Sequence, residues 1–244
     1  MKARLMILSA FAALPMLASA AAFTPAELDK AVASLPKANV MGGFAVHSKQ
    51  FCGSCHGPNG IAPTANWPHV AGQPFEVTGK ALLDGRRTGG AQAAIMTAAA
   101  KRLTDQQIAD VSALYEMLPG SDGKTFDVGK KGRTPVEGVD VARLVRKGDP
   151  ARAITPCAAC HGMTGKGRSN GKVPVLHGQN PTYLAAQLRD YRDGRRDNDV
   201  LKEMRFFAQK LTDDEINALA DFYAGETGWP GVKPARPAAK AAAK

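Results

Sequence analysis

The residues able to do chemistry fall in two short runs, Cys52-Gly-Ser-Cys55-His56 and Cys157-Ala-Ala-Cys160-His161, which hold all four cysteines of the 244-residue chain. Two thiols three positions apart can reach the two vinyl groups of one porphyrin from a single turn. The histidine that follows sets an imidazole beneath the iron, so CxxCH is the attachment signal of c-type haem. Other uses of paired cysteines fit less well. A thioredoxin-like dithiol needs a βαβ setting, and strand-like alternation is scarce here. A zinc site would need the two pairs to converge, whereas each pair has its own adjacent histidine and its own flanking pattern. A disulfide across three residues closes a loop of little entropic value. The spacing therefore predicts two covalently bound haem c groups. Cys52, Cys55, Cys157 and Cys160 are the attachment points, and His56 and His161 the proximal iron ligands.

The sixth ligand must come from elsewhere in each half. Beyond the N-terminal segment the methionines stand at 41, 96, 117, 163 and 204. Met163 is too close to His161 to reach the opposite haem face. Met117 falls in a helix stripe and Met41 has no counterpart in the second half, so both read as packing residues. Met96 and Met204 remain as the expected distal ligands, 40 and 43 residues after their histidines. A thioether there stabilises reduced iron and leaves no open coordination position, which argues for electron transfer over catalysis. His47, His69 and His177 are the competitors. His69 and His177 lie two positions out of register and read as partly exposed loop residues, and His47 reads as a helix-surface residue. The proximal rings need a second hydrogen-bond partner, for which the Pro68 and Pro174 carbonyls are candidates. Arg86, Arg87, Arg195 and Arg196 could face haem propionates; a solvated basic turn is the competing reading.

The elements around these residues repeat. Pro68-His-Val-Ala-Gly-Gln73 matches Pro174-Val-Leu-His-Gly-Gln179, Gly85-Arg-Arg87 matches Gly194-Arg-Arg196, and Met96 through Asp105 matches Met204 through Asp213. Each unit reads as helical. Thr104-Asp-Gln-Gln107 and Thr212-Asp-Asp-Glu215 are capping boxes. The stripes they open are Ile108, Val111, Leu114 and Tyr115, and Ile216, Leu219, Ala220 and Tyr223. Helices are expected at Gly42–Gln50 and Val139–Lys147 before the cysteines, at Pro181–Arg192, and more weakly at Pro74–Leu83. Thr24-Pro-Ala-Glu27 opens a further helix ahead of the repeat.

Lys2 and Arg4, the apolar run Leu5–Leu17 and Ala18-Ser-Ala20 read as a signal peptide over residues 1–20. The predicted organisation is then a first domain over 21–120 with an N-terminal extension, a linker at 121–137, a second domain over 138–227 and a basic disordered tail at 228–244. Composition agrees with folded cores: 44% of residues are hydrophobic and 22% charged. The formal charge of +10 is uneven, with 22 Lys/Arg against 15 Asp/Glu in residues 121–244. For an exported chain this favours redox protein partners with an acidic docking surface over nucleic acid, and no small-molecule substrate is expected. Peroxidase chemistry would need an accessible iron, and thiosulfate oxidation a cysteine ligand outside the haem motifs; the sequence offers neither.

From Cys157-Ala-Ala-Cys-His161-Gly through Pro174-Val-Leu-His-Gly-Gln179, Tyr183-Leu-Ala-Ala-Gln-Leu188, Tyr191-Arg-Asp-Gly194, Met204 and Leu211-Thr-Asp-Asp-Glu215, the sequence resembles the cytochrome c4 family. The resemblance implies an all-α protein of two tandem class I cytochrome c-like domains, each wrapped around one covalent haem. It implies the same thioether cysteines, proximal histidines and distal methionines, and a non-enzymatic role. Such a protein would carry electrons in the periplasm from a quinol-oxidising complex or dehydrogenase to a terminal oxidase or reductase, with loose attachment to the inner membrane. A subunit of one dehydrogenase, acting on a sulfur compound or an alcohol, is the alternative. The first unit departs from the pattern: Phe75-Glu-Val-Thr-Gly-Lys80 stands where the second has Tyr183-Leu-Ala-Ala-Gln-Leu188, and Thr88-Gly-Gly90 precedes its methionine.

Overall fold

The computed structural model describes residues 23–87, 94–122, 138–167 and 171–225. The expected signal peptide and tail, most of the linker, and Thr88-Gly-Gly90 lie outside the described residues. Eleven α-helices and one short 3-10 turn make up the regular structure among them, without a strand.

The helices recur in two sets of five after one extra. α1 (Pro25–Ala33) is the extension. α2 (Val40–Lys49), α3 (Cys52–His56), α4 (Phe75–Arg87), α5 (Ala94–Lys101) and α6 (Asp105–Met117) form the first unit. α7 (Val141–Lys147), α8 (Ala158–His161), α9 (Pro181–Arg192), α10 (Glu203–Ala208) and α11 (Asp213–Ala224) form the second. Local chemistry sets their starts. Complete capping boxes open α1 at Thr24, α6 at Thr104 and α11 at Thr212, each satisfying backbone N–H groups that the first turn leaves without partners. Asn39 caps α2 and Asp140 caps α7 through their side-chain oxygens. The Phe75–Arg87 segment, the weaker helix by sequence, runs a full 13 residues.

Each unit has its own core. Val46, Leu82, Leu83, Leu103, Ile108, Val111 and Leu114 bury together in the first. Leu144, Val145, Leu184, Ile216, Leu219 and Phe222 do so in the second. Both expected terminal-helix stripes face inward. At the crossing of α2 and α6 the backbones approach so closely that a methyl group at Gly43 would overlap the Asp110 carbonyl oxygen and lie 2.7 Å from Leu114 Cβ. Only glycine permits that approach.

The units meet through the loops that matched in the sequence. The Gln179 amide accepts from His69 N–H at 2.8 Å and donates to His69 C=O at 2.8 Å. Its repeat counterpart, Gln73, accepts from Val175 N–H at 3.1 Å and donates to Val175 C=O at 2.9 Å. The pairing is reciprocal, because His69 and Val175 are themselves repeat equivalents. Asn180, 1% exposed, donates to the carbonyl of Thr64 at 3.1 Å. Asn198 donates to the Asp84 carboxylate at 2.8 Å, and Lys80, paired with the same carboxylate, donates to Asn198 C=O at 2.7 Å.

Candidate haem-binding sites

In each unit one helical turn carries the cysteines and the histidine. α3 places Cys52, Cys55 and His56, and Cys157 caps α8, which carries Cys160 and His161. None of the four thiols is in a disulfide. Burial pushes the Cys52 thiol up and the Cys157 thiol up to about 11, so both are neutral at pH 7. The glycine after each histidine reverses the chain at φ +75° (Gly57) and +76° (Gly162), a conformation that costs any other residue.

His56 and His161 are both buried. His56 Nδ1 lies 2.9 Å from the Pro68 carbonyl and His161 Nδ1 3.3 Å from that of Pro174. A carbonyl only accepts, so Nδ1 carries the proton in both rings and the Nε2 lone pair is left for a metal. Desolvation lowers both imidazole pKa values against the opposing effect of these hydrogen bonds, and the rings are neutral, as a metal ligand must be. The carbonyl partners expected from the loop spacing are thus in place.

Met96 lies in α5, half-buried against the first core. Met204 lies in the first turn of α10, also half-buried. The histidine competitors differ from the sequence reading. His47 is 7% exposed rather than on the helix surface. Its Nε2 donates to Gly57 C=O at 3.1 Å and its Nδ1 accepts from the Tyr115 hydroxyl at 2.9 Å, so neither nitrogen is left for iron. The spacing Gly43, Val46, His47 marked the buried face of α2. His69 is 3% exposed rather than partly exposed. Its Nδ1 accepts from Ala62 N–H at 3.0 Å, and burial lowers its pKa to about 4. His177 is half-buried, as expected of a loop residue.

The four arginines have protein partners. Arg86 pairs with Asp105 at 2.7 Å, and Arg195 with Asp190 and Asp193, each at 2.8 Å. Arg87 covers the Phe23 ring and Arg196 the Tyr191 ring. Arg195, 60% exposed, keeps the solvated character of a basic turn while paired.

The donor set in each unit fits covalently held haem: two thiols in one turn, an oriented neutral imidazole, and a half-buried thioether on a separate helix. The chain is similar to the thiosulfate dehydrogenase electron acceptor of Stutzerimonas stutzeri (strain A1501), with 36% identity over 183 residues that make up 72% of this chain and 81% of the relative. It is similar to cytochrome c4 of Thiocapsa roseopersicina, 34% identical over 71% of this chain and 86% of the relative. The chain belongs to the cytochrome c4 family. The Cytochrome c family pattern matches residues 151–224. The fold agrees with reduced recombinant cytochrome c4 from Pseudomonas stutzeri, with a TM-score of 0.67 and 30% identity over 77% of this chain and 98% of that one. Membership makes the protein an electron-transfer cytochrome with covalent haem c, and not an enzyme. Among the described residues no helix is long and apolar enough to cross a membrane.

Proposed function

We propose that the protein is an exported two-haem carrier, with one haem in each unit. The observation that carries this is the repeated hydrogen bond from proximal-ring Nδ1 to the Pro68 or Pro174 carbonyl, which presents the same metal-ready Nε2 twice. Cys52 and Cys55, and Cys157 and Cys160, would hold the groups through thioethers. His56 and His161 would be the proximal ligands, and Met96 and Met204 the distal ones. When bound, haem c supplies a one-electron ferric/ferrous couple. The rest is the chain's own work. Buried helices exclude water, the Pro68 and Pro174 carbonyls fix ring orientation and basicity, and methionine sulfur favours the reduced state.

The leader at 1–20 supports a periplasmic setting, soluble or loosely attached to the inner membrane, with domains at 21–120 and 138–227. In that compartment the carrier would link a quinol-oxidising complex or dehydrogenase to a terminal oxidase or reductase. A role as acceptor for a dehydrogenase of a sulfur compound is the second reading, favoured by the Stutzerimonas relative's name. An acidic partner surface remains the fit for the basic second half. Within that half, Arg189, Arg192 and Arg195 are paired with Asp190, Asp193 and Asp213 on the described surface.

Spectroelectrochemical titration of the holoprotein tests the assignment. The expected result is two haems per chain and two low-spin couples that do not bind cyanide rapidly, with Met96→Ala and Met204→Ala each opening one site. A single haem, or unchanged spectra in both variants, refutes it.

A further inference from the structure

The two interface glutamines bond to one particular peptide in the opposite unit. The Pro68–His69 peptide accepts at its carbonyl from His56 Nδ1–H, 2.9 Å away, and donates at its N–H to Gln179 Oε1, 2.8 Å away. In the second unit the Pro174–Val175 peptide accepts from His161 Nδ1–H at 3.3 Å and donates to Gln73 Oε1 at 3.1 Å. The same glutamines also donate to the next carbonyls, those of His69 and Val175. Each loop segment is therefore held on two sides by a side chain 102 or 110 residues away.

We propose that Gln179 is a positioning residue for His56, and Gln73 for His161, so that each unit tunes the proximal ligand of the other. The proposal rests on the ligand assignment above. A peptide whose N–H is engaged by an acceptor is polarised, and its carbonyl becomes a better acceptor in turn. A stronger bond from the ring N–H raises the basicity of the metal-binding nitrogen, and a more basic ligand favours the ferric state. Removing a glutamine thus raises the potential of the haem in the opposite unit and leaves that of its own unit nearly unchanged. The first-unit relay has the shorter bonds at both steps, so His56 is held more firmly than His161.

The test uses the holoprotein with Gln179→Met and Gln73→Met, near-isosteric changes that remove the amide. Potentials are read by spectroelectrochemistry, and proton NMR assigns each couple to its unit through contacts beside its CxxCH turn. Gln179→Met is expected to change the reduced-to-oxidised ratio of the first-unit couple by about threefold to tenfold at fixed potential, tenfold being 59 mV for one electron. Gln73→Met is expected to do the same to the second-unit couple. Asn198→Ala loosens the interface without touching either loop and is expected to move neither. In the unmutated protein the His56 ring N–H should exchange with solvent more slowly than that of His161, a readout that needs no variant to fold. Shifts confined to the mutated unit, equal shifts of both couples, the same shifts in Asn198→Ala, or faster exchange at His56 would each overturn the proposal. If the unmutated protein shows two His/Met couples and the glutamine variants move neither, the tuning alone fails. Without two such couples the ligand assignment fails and takes the tuning with it.

Discussion

Alanine at Gly57 and alanine at Gly162 should differ in cost although the two glycines are repeat equivalents. Both backbones lie where non-glycine residues are essentially excluded, with φ and ψ of 75° and 159° at Gly57 and 76° and 160° at Gly162. That strain is worth about 1–3 kcal/mol in each case. The surroundings break the tie. A methyl group at Gly162 would stand 2.8 Å from the Gly167 carbonyl oxygen, a small displacement for a loop. At Gly57 it would overlap the Ile61 carbonyl oxygen, likewise backbone, far more deeply, so the larger displacement is needed there. The Gly57 carbonyl also accepts from buried His47, so the shift disturbs a hydrogen bond inside the first core. Forced overpacking adds about 1–3 kcal/mol. The expected losses are therefore about 2–3 kcal/mol for Gly162→Ala and about 3–5 kcal/mol for Gly57→Ala. Hydrogen exchange followed by mass spectrometry on the holoproteins would localise the loss, α2 and α6 reporting on the first unit and α7 and α11 on the second. Equal losses, or a larger one for Gly162→Ala, would refute the reasoning from the Ile61 carbonyl.

Ile108→Ala and Ile216→Ala each truncate a fully buried side chain at the centre of one core and should each cost about 2–5 kcal/mol. Because the cores are separate, exchange should quicken mainly in the unit that carries the change; equal loosening of both would contradict two cores. The burial of His69 gives a pH dependence. Its folded pKa of about 4 lies below the ordinary 6.5, so between these values the unfolded chain binds more protons and stability falls as pH drops from about 6.5 to about 4. At about 1.4 kcal/mol per pH unit the full loss approaches about 3 kcal/mol. His69→Val, which installs the residue found at the equivalent Val175, should flatten that part of the stability profile in denaturant titrations; an unchanged slope would assign it to other groups.

Features written into short stretches of chain were legible without coordinates. The CxxCH turns, the helix start at Thr24-Pro25, the capping boxes at Thr104 and Thr212, and the stripes from Ile108 and Ile216 depend on residues at most a few turns apart, where backbone geometry leaves little choice. The Pro68 and Pro174 carbonyls could be proposed as acceptors because each lies in a short loop only 12 or 13 residues beyond its histidine. Only the packing of distant elements decided the rest. His47 reads as a surface residue until α6 brings Tyr115 over it. The basic turns read as free charge until Asp105, Asp190 and Asp193 are placed beside them. Gln73 and Gln179 look like matching loop residues in a duplicated sequence, and nothing local says that each will bond across to the other unit. A side-chain amide has no preferred partner until a peptide is fixed within its reach, and here that peptide is supplied by chain more than 100 residues away.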